Sequence, residues 1–142
     1  LIPKYIVSFP IDKKEISNAI LANQVNLKKI IKIVHKEIRK KMNLFLTKNK
    51  NKKVIILDIP LLLENKINNK KDFLVFVEAQ KSKIKKRIKK RVNFNSKLFK
   101  KFKKIQLPID YKKKKANFII KNDFTKTSVK IGIKKVLEEI NK

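Results

Sequence analysis

Two carboxylates, one imidazole and a pair of arginines are the side chains in this sequence whose types and spacing could do chemistry. Asp58 and Glu64 bracket Ile59-Pro60-Leu61-Leu62-Leu63, directly after the apolar run Val54-Ile55-Ile56-Leu57. An uninterrupted Val/Ile/Leu run suits a strand covered on both faces, and Pro60 should end it because proline cannot donate to a ladder. In open α/β sheets, ligands bind just beyond the carboxyl ends of the strands. Asp58 and Glu64 therefore fall where an enzyme handling phosphate or Mg²⁺-bound water would use a carboxylate. Their plainer roles are a turn-former before proline and a cap on the following loop.

His35 is the only histidine, and there is no cysteine. One imidazole cannot build a protein metal site without help, so any metal ligand set would have to be all carboxylate. Arg87 and Arg91 are four residues apart, the spacing of one helical face. They stand among Lys83, Lys85, Lys86, Lys89 and Lys90, so a solvated basic face is the bland reading and phosphate binding the functional one. Phe94, Phe99 and Phe102 alternate with lysines. They could stack on single-stranded nucleic acid, although their helical spacing fits a packed face better. Asn122 follows the apolar stretch Phe118-Ile119-Ile120 and is placed as a turn residue.

The elements that must position these groups follow from periodicity. Asp12 with Glu15 makes a capping-box variant at the start of a helix carrying Ile16, Ile20 and Leu21. Asn26 is a candidate cap for a second helix, with Leu27, Ile30, Ile31, Val34, Ile38 and Phe45 on its apolar side and its end near Leu46. Strands are expected over 53–59, 72–78 and 117–121. Between the last two lie a helix with Ile84, Ile88 and Val92 on one face, a helix capped by Asn95 or Ser96, and a helical piece over 111–116 after Pro108. A final helix starts at Thr125 or Thr127 and turns Val129, Ile133, Val136, Leu137 and Ile140 inward. Strands separated by helices make this an α/β pattern with a parallel sheet.

The chain has 142 residues, enough for one ordinary core. Its formal net charge of +29 invites a polyanion partner. Yet the cations are nearly all lysine, with only Arg39, Arg87 and Arg91 as arginine. Lysine runs from one end to the other, and Ile and Asn are abundant, as an A/T-rich coding bias would produce. No run approaches the ~20 apolar residues of a membrane span. The only glycine is Gly132, so the 142 residues contain no glycine-rich phosphate loop, which needs two glycines for close backbone approach.

Several segments, in order, resemble dephospho-CoA kinases, which phosphorylate the ribose of dephospho-CoA to complete coenzyme A. Ile11-Asp12-Lys13 resembles that family's I-D-R segment, and Ile33-Val34-His35 its I-x-H-P. Ile59-Pro60-Leu61-Leu62-Leu63-Glu64 is similar to its P-L-L-x-E core. Ala79 with Arg87 and Arg91 fits its A-x-x-x-x-Q-x-x-R-x-x-x-R-D run, Gln106 its R-x-x-x-Q, and 116–122 its A-D-x-V-I-x-N. The departures are Lys36 for proline, Ile84 for glutamine, Val92 and Asn117 for aspartates, and lysines such as Lys103 for lid arginines. A lysine keeps the charge but gives up bidentate phosphate recognition.

The resemblance implies a P-loop NTPase-type parallel sheet with a helical substrate-binding subdomain and a helical lid. It implies that the family's first strand, phosphate loop and following helix lie outside this sequence, which starts at Leu1 rather than Met. The expected organisation is a CoA-substrate subdomain over 1–52, core strands over 53–80, a lid over 81–115, and a core strand with C-terminal helix over 116–142. The implied roles are dephospho-CoA binding by His35, Asp58 and Glu64, with Asp58 the one candidate for a catalytic role. ATP would meet Arg87, Arg91 and Gln106 on the lid and Asn122 on the adenine side, with Mg²⁺ on the phosphates and no metal ligands in this chain. The implied protein is a cytoplasmic kinase. The chain alone is expected to be inactive, to expose apolar edges and to be marginally stable. The alternatives are a small basic nucleic-acid-binding protein and a kinase for another nucleotide or nucleoside.

Overall fold

The computed structural model describes residue 2 and residues 4–141. The elements run α1 (Lys13–Ala22), α2 (Gln24–Lys48), β1 (Val75–Glu78), α3 (Lys81–Lys89), α4 (Ser96–Ile105), α5 (Ile109–Lys115), β2 (Phe118–Lys121) and α6 (Lys126–Ile140). The α/β pattern is as expected. The chain forms two compact units: Leu1–Ile67 with Ser96–Lys104, and Asn68–Asn95 with Ile105–Lys142.

In the first unit, α1 and α2 pack against each other and bury Ala19, Ile20 and Leu27. Asp12 caps α1, accepting from the Lys14 N–H at 2.8 Å. Glu15 does not close a box on the Asp12 N–H. Its carboxylate instead accepts from the Ser8 N–H and hydroxyl, while Asp12 N–H donates to Ser8 Oγ at 3.0 Å. The second cap is Asn23, whose Oδ1 accepts from Val25 N–H at 2.8 Å. Asn26, expected there, lies inside α2 and donates to the Ala19 carbonyl at 3.0 Å. Lys101 of α4 donates to the carbonyls of Ile20 and Leu21 at 2.7 and 3.0 Å. Carbonyls in the last turn of a helix have no partner within it. Here three successive ones receive side-chain donors, and the cation also complements the negative end of the helix dipole.

The expected strand over 53–59 does not form. The segment takes up no regular secondary structure and alternates exposed and half-buried residues over 54–59, and it pairs with no strand among the described residues. Such a segment becomes a strand only when a neighbour accepts its ladder, and Val54 and Ile56 stay exposed. It leads into a compact turn over 60–66. Leu61 and Lys66 have positive φ (57° and 49°), and Asn65 bonds the Leu61 carbonyl through both its backbone N–H and its amide. Ile67 closes the turn and is buried.

In the second unit, β1 and β2 are parallel, with Val75 opposite Phe118 and Glu78 opposite Lys121. Asn117 fixes the register. Its N–H donates to the Leu74 carbonyl and its Oδ1 accepts from the Leu74 N–H, both at 2.8 Å. Helix α6 lies on β2, where Gly132 meets Ile120. Glu78 pairs with Lys113 of α5. Helix α3 stops at Lys89, so Arg91 lies beyond it and Val92, expected on its apolar face, is fully exposed. Like charges four apart, as at Lys85/Lys89 and Lys86/Lys90, oppose further helix, and no apolar contact offsets them.

Candidate functional site

The carboxyl ends of β1 and β2 open onto two adjoining recesses in the second unit. One, of about 310 Å³, is lined by Glu78, Ala79, Gln80, Lys83, Lys121, Asn122 and Asp123. The other, of about 450 Å³, has Phe124, Val129 and Ile133 as its apolar surface and Arg87, Lys126 and Lys130 as its cations. Asn122 lines both.

The backbone between β2 and α6 is held by short local bonds. Asn122 N–H continues the ladder by donating to the Glu78 carbonyl at 2.7 Å. Its Oδ1 accepts from Phe124 N–H at 2.7 Å, an Asx turn. Asp123 accepts from the hydroxyl of Ser128 and from the N–H and hydroxyl of Thr125. Those bonds, Ser128's first, stabilise its charged form and hold its carboxyl down at about 2. Thr125 caps α6 by accepting from Ser128 N–H at 3.2 Å. Glu78 is also held below the usual carboxylate range, first by the hydrogen bond from Lys113, against a smaller opposing cost of desolvation.

Phe124 has φ of 74°, in the left-handed region. For an L-residue with a bulky side chain this costs about 1–2 kcal/mol. The Asn122 amide bond holds the turn in that shape. The guanidinium of Arg87 lies 4.7 Å from the centre of the Phe124 ring, a cation–π contact.

Of the residues singled out from sequence, Arg87 and Asn122 come together on one recess. Arg91 and Gln106 are exposed in the same unit, outside the residues lining either recess. In the first unit, His35 is half-buried midway along α2, Asp58 is exposed on the segment over 53–59, and Glu64 is half-buried within the turn over 60–66. Arg39, one helical turn beyond His35, donates to the Asn65 carbonyl at 3.0 Å and so ties α2 to that turn. Sequence reasoning missed Arg39, Phe124, Lys126 and Lys130. The available signal for Phe124 was an aromatic residue between a strand-ending Asn-Asp and a threonine cap. Among the described residues, no group of His, Cys, Asp and Glu could hold a metal ion. No helix among the described residues is long and apolar enough to cross a membrane.

A family model described as dephospho-CoA kinase matches residues 10–128, most of the chain. The chain belongs to the dephospho-CoA kinase family. It is 30% identical over 141 residues to a dephospho-CoA kinase of Wolbachia pipientis wMel, a match covering 98% of this chain and 72% of that one. The dephospho-CoA kinase of the Wolbachia of Brugia malayi is 28% identical over the same shares. That of Bartonella quintana is 28% identical over 120 residues, 83% of this chain and 62% of the relative. Both recesses, the turn over 60–66 and His35 fall within the dephospho-CoA kinase match, except for the α6 residues after 128.

Proposed function

We propose that this chain serves the ATP-dependent phosphorylation of the ribose 3′-hydroxyl of dephospho-CoA. In this reading the first unit binds the acceptor through His35, Asp58 and Glu64. The second binds the donor, with Arg87, Arg91 and Gln106 on the phosphate side and Asn122 beside the adenine. Phosphoryl transfer is mostly positioning and charge neutralisation, so cations near the phosphates and a fixed acceptor are what the protein must supply. Mg²⁺ arrives with ATP as part of the substrate. The observation that carries the reading is the convergence of Arg87 and Asn122 on one recess beyond the ends of two parallel strands.

These residues include a single glycine and no glycine-rich phosphate loop. The purified chain alone is therefore inactive toward ATP. Binding is the property to test. Calorimetric titration with dephospho-CoA, at salt high enough to suppress general attraction to the +29 charge, should give saturable binding that His35→Ala weakens. Equal binding of inorganic tripolyphosphate, indifferent to His35, would overturn the reading.

A further inference from the structure

We propose that Phe124 is a stacking platform for the nucleobase of the bound nucleotide, with Arg87 and Lys130 as the cationic rim for its phosphates. The inference rests on the nucleotide-binding reading above and names the residue that would grip the base. Its starting point is the make-up of the larger recess, in which aromatic and aliphatic side chains are flanked by cations. A nucleotide has the same two-part chemistry, a flat apolar base joined to phosphates.

The ring is held ready for such a partner. Positive φ at Phe124 carries the side chain away from the path an ordinary residue would take, and the Asn122 amide keeps the turn in place. Strain of this kind persists only where the surroundings impose it, and it concentrates at ligand clamps. Phe124 is exposed, 36% by area over the whole residue. Its present neighbour is the Arg87 guanidinium, 4.7 Å from the ring centre, so the ring already takes a delocalised cation as a partner. A base would displace the guanidinium and free Arg87 to meet the phosphates.

The neighbouring helix end argues for a base there rather than a phosphate. An open helix N-terminus attracts anions. Beside the start of α6 lies the Asp123 carboxylate, which accepts from the Thr125 N–H and from the Thr125 and Ser128 hydroxyls, while Thr125 itself caps the Ser128 N–H. A phosphate beside that carboxylate would meet a like charge, whereas the Phe124, Val129 and Ile133 surface has no such objection to a base.

The chain contains no tryptophan, so Phe124→Trp installs a single fluorophore on the platform. ATP should quench its emission in a saturable way, and inorganic tripolyphosphate should not. Phe124→Leu, which keeps an apolar side chain but no ring, should weaken ATP binding about tenfold while leaving tripolyphosphate binding unchanged. If the unsubstituted chain prefers ATP to tripolyphosphate and Phe124→Leu keeps that preference in full, stacking is wrong and the nucleotide-binding reading stands. If the unsubstituted chain shows no preference for ATP, both fail together. Quenching of the tryptophan by tripolyphosphate as strongly as by ATP would also overturn the platform.

Discussion

Gly132 of α6 and Ile120 of β2 are so close that a methyl group on Gly132 would lie 2.6 Å from Ile120 Cγ2. The only glycine in the chain is thus a packing residue. Two effects compete in Gly132→Ala. Alanine in a helix interior gains about 1 kcal/mol over glycine, while overpacking a tight contact costs about 1–3 kcal/mol. Ile120 is buried and branched at Cβ, so it has little room to yield. We expect a net loss of about 1 kcal/mol, read as a lower urea midpoint with unchanged slope.

Such a loss matters because the core is thin. The buried apolar residues among those described are Ile2, Ala19, Ile20, Leu27, Ile67 and Ile120, of which only Ile67 and Ile120 come from beyond α2. Val75 and Val77 of β1 and Ile119 of β2 stay exposed on a sheet of two strands. Exposed apolar edges favour association and leave little to resist unfolding. Thermal unfolding of the isolated chain should be broad and begin at low temperature, with dye binding to apolar surface before the transition. A single sharp transition at high temperature would contradict this.

Where a segment's own residues decided its structure, the sequence was a sufficient guide. The caps at Asp12 and Thr125, the break at Pro108 and the apolar face of α1 depend on local bonds and periodicity. By contrast, Val34 and Phe45 of α2 and Ile133 and Leu137 of α6, expected inward, are exposed because little packs against those faces. Segments that depend on a distant partner were misjudged. The Val54–Leu57 run has the composition of a buried strand, yet it remains unpaired among the described residues. Asn26 looked like a cap, but Asn23 took that role because Asn26 had the Ala19 carbonyl to bond. Arg87 and Asn122 were legible through their surroundings and the family resemblance. Phe124 was not, because nothing in its neighbours announces a positive φ on a phenylalanine.

Asp123 gives the stability a definite acid dependence. Its carboxyl lies at about 2 in the folded chain, against 3.8 for an unperturbed aspartate. A group depressed in this way adds stability that is complete above the unfolded value and is lost as pH falls through the folded one. The turn leading into α6 should therefore weaken between about pH 4 and pH 2. Glu78, also depressed, adds to the same trend. Asp123→Asn should flatten the fall of the unfolding midpoint with acid over that window and leave the slope near neutrality unchanged. An unchanged acid limb in the variant would show that the Thr125 and Ser128 bonds do not act through this charge.

Arg39 separates geometry from charge in acceptor binding. Its guanidinium reaches the Asn65 carbonyl at 3.0 Å from α2, one turn beyond His35, and so steadies the turn that holds Glu64. If dephospho-CoA binds through that arrangement, Arg39→Lys should harm it although the charge is kept, because an ammonium does not reproduce the planar donor fork. A hydrogen bond from a charged donor contributes about 1.5–3 kcal/mol when shielded, and this one is exposed, so about 1 kcal/mol, a several-fold to about tenfold loss of affinity, is expected, and Arg39→Ala should be no milder. A chain that merely attracts polyanions behaves otherwise. Its affinity would fall steeply with salt, Arg39→Lys would bind as before, and Arg39→Ala would remove one charge from a net +29 with little effect. Titration of both variants with dephospho-CoA at two salt concentrations distinguishes the two behaviours, since geometric recognition predicts the Lys variant to be impaired at both.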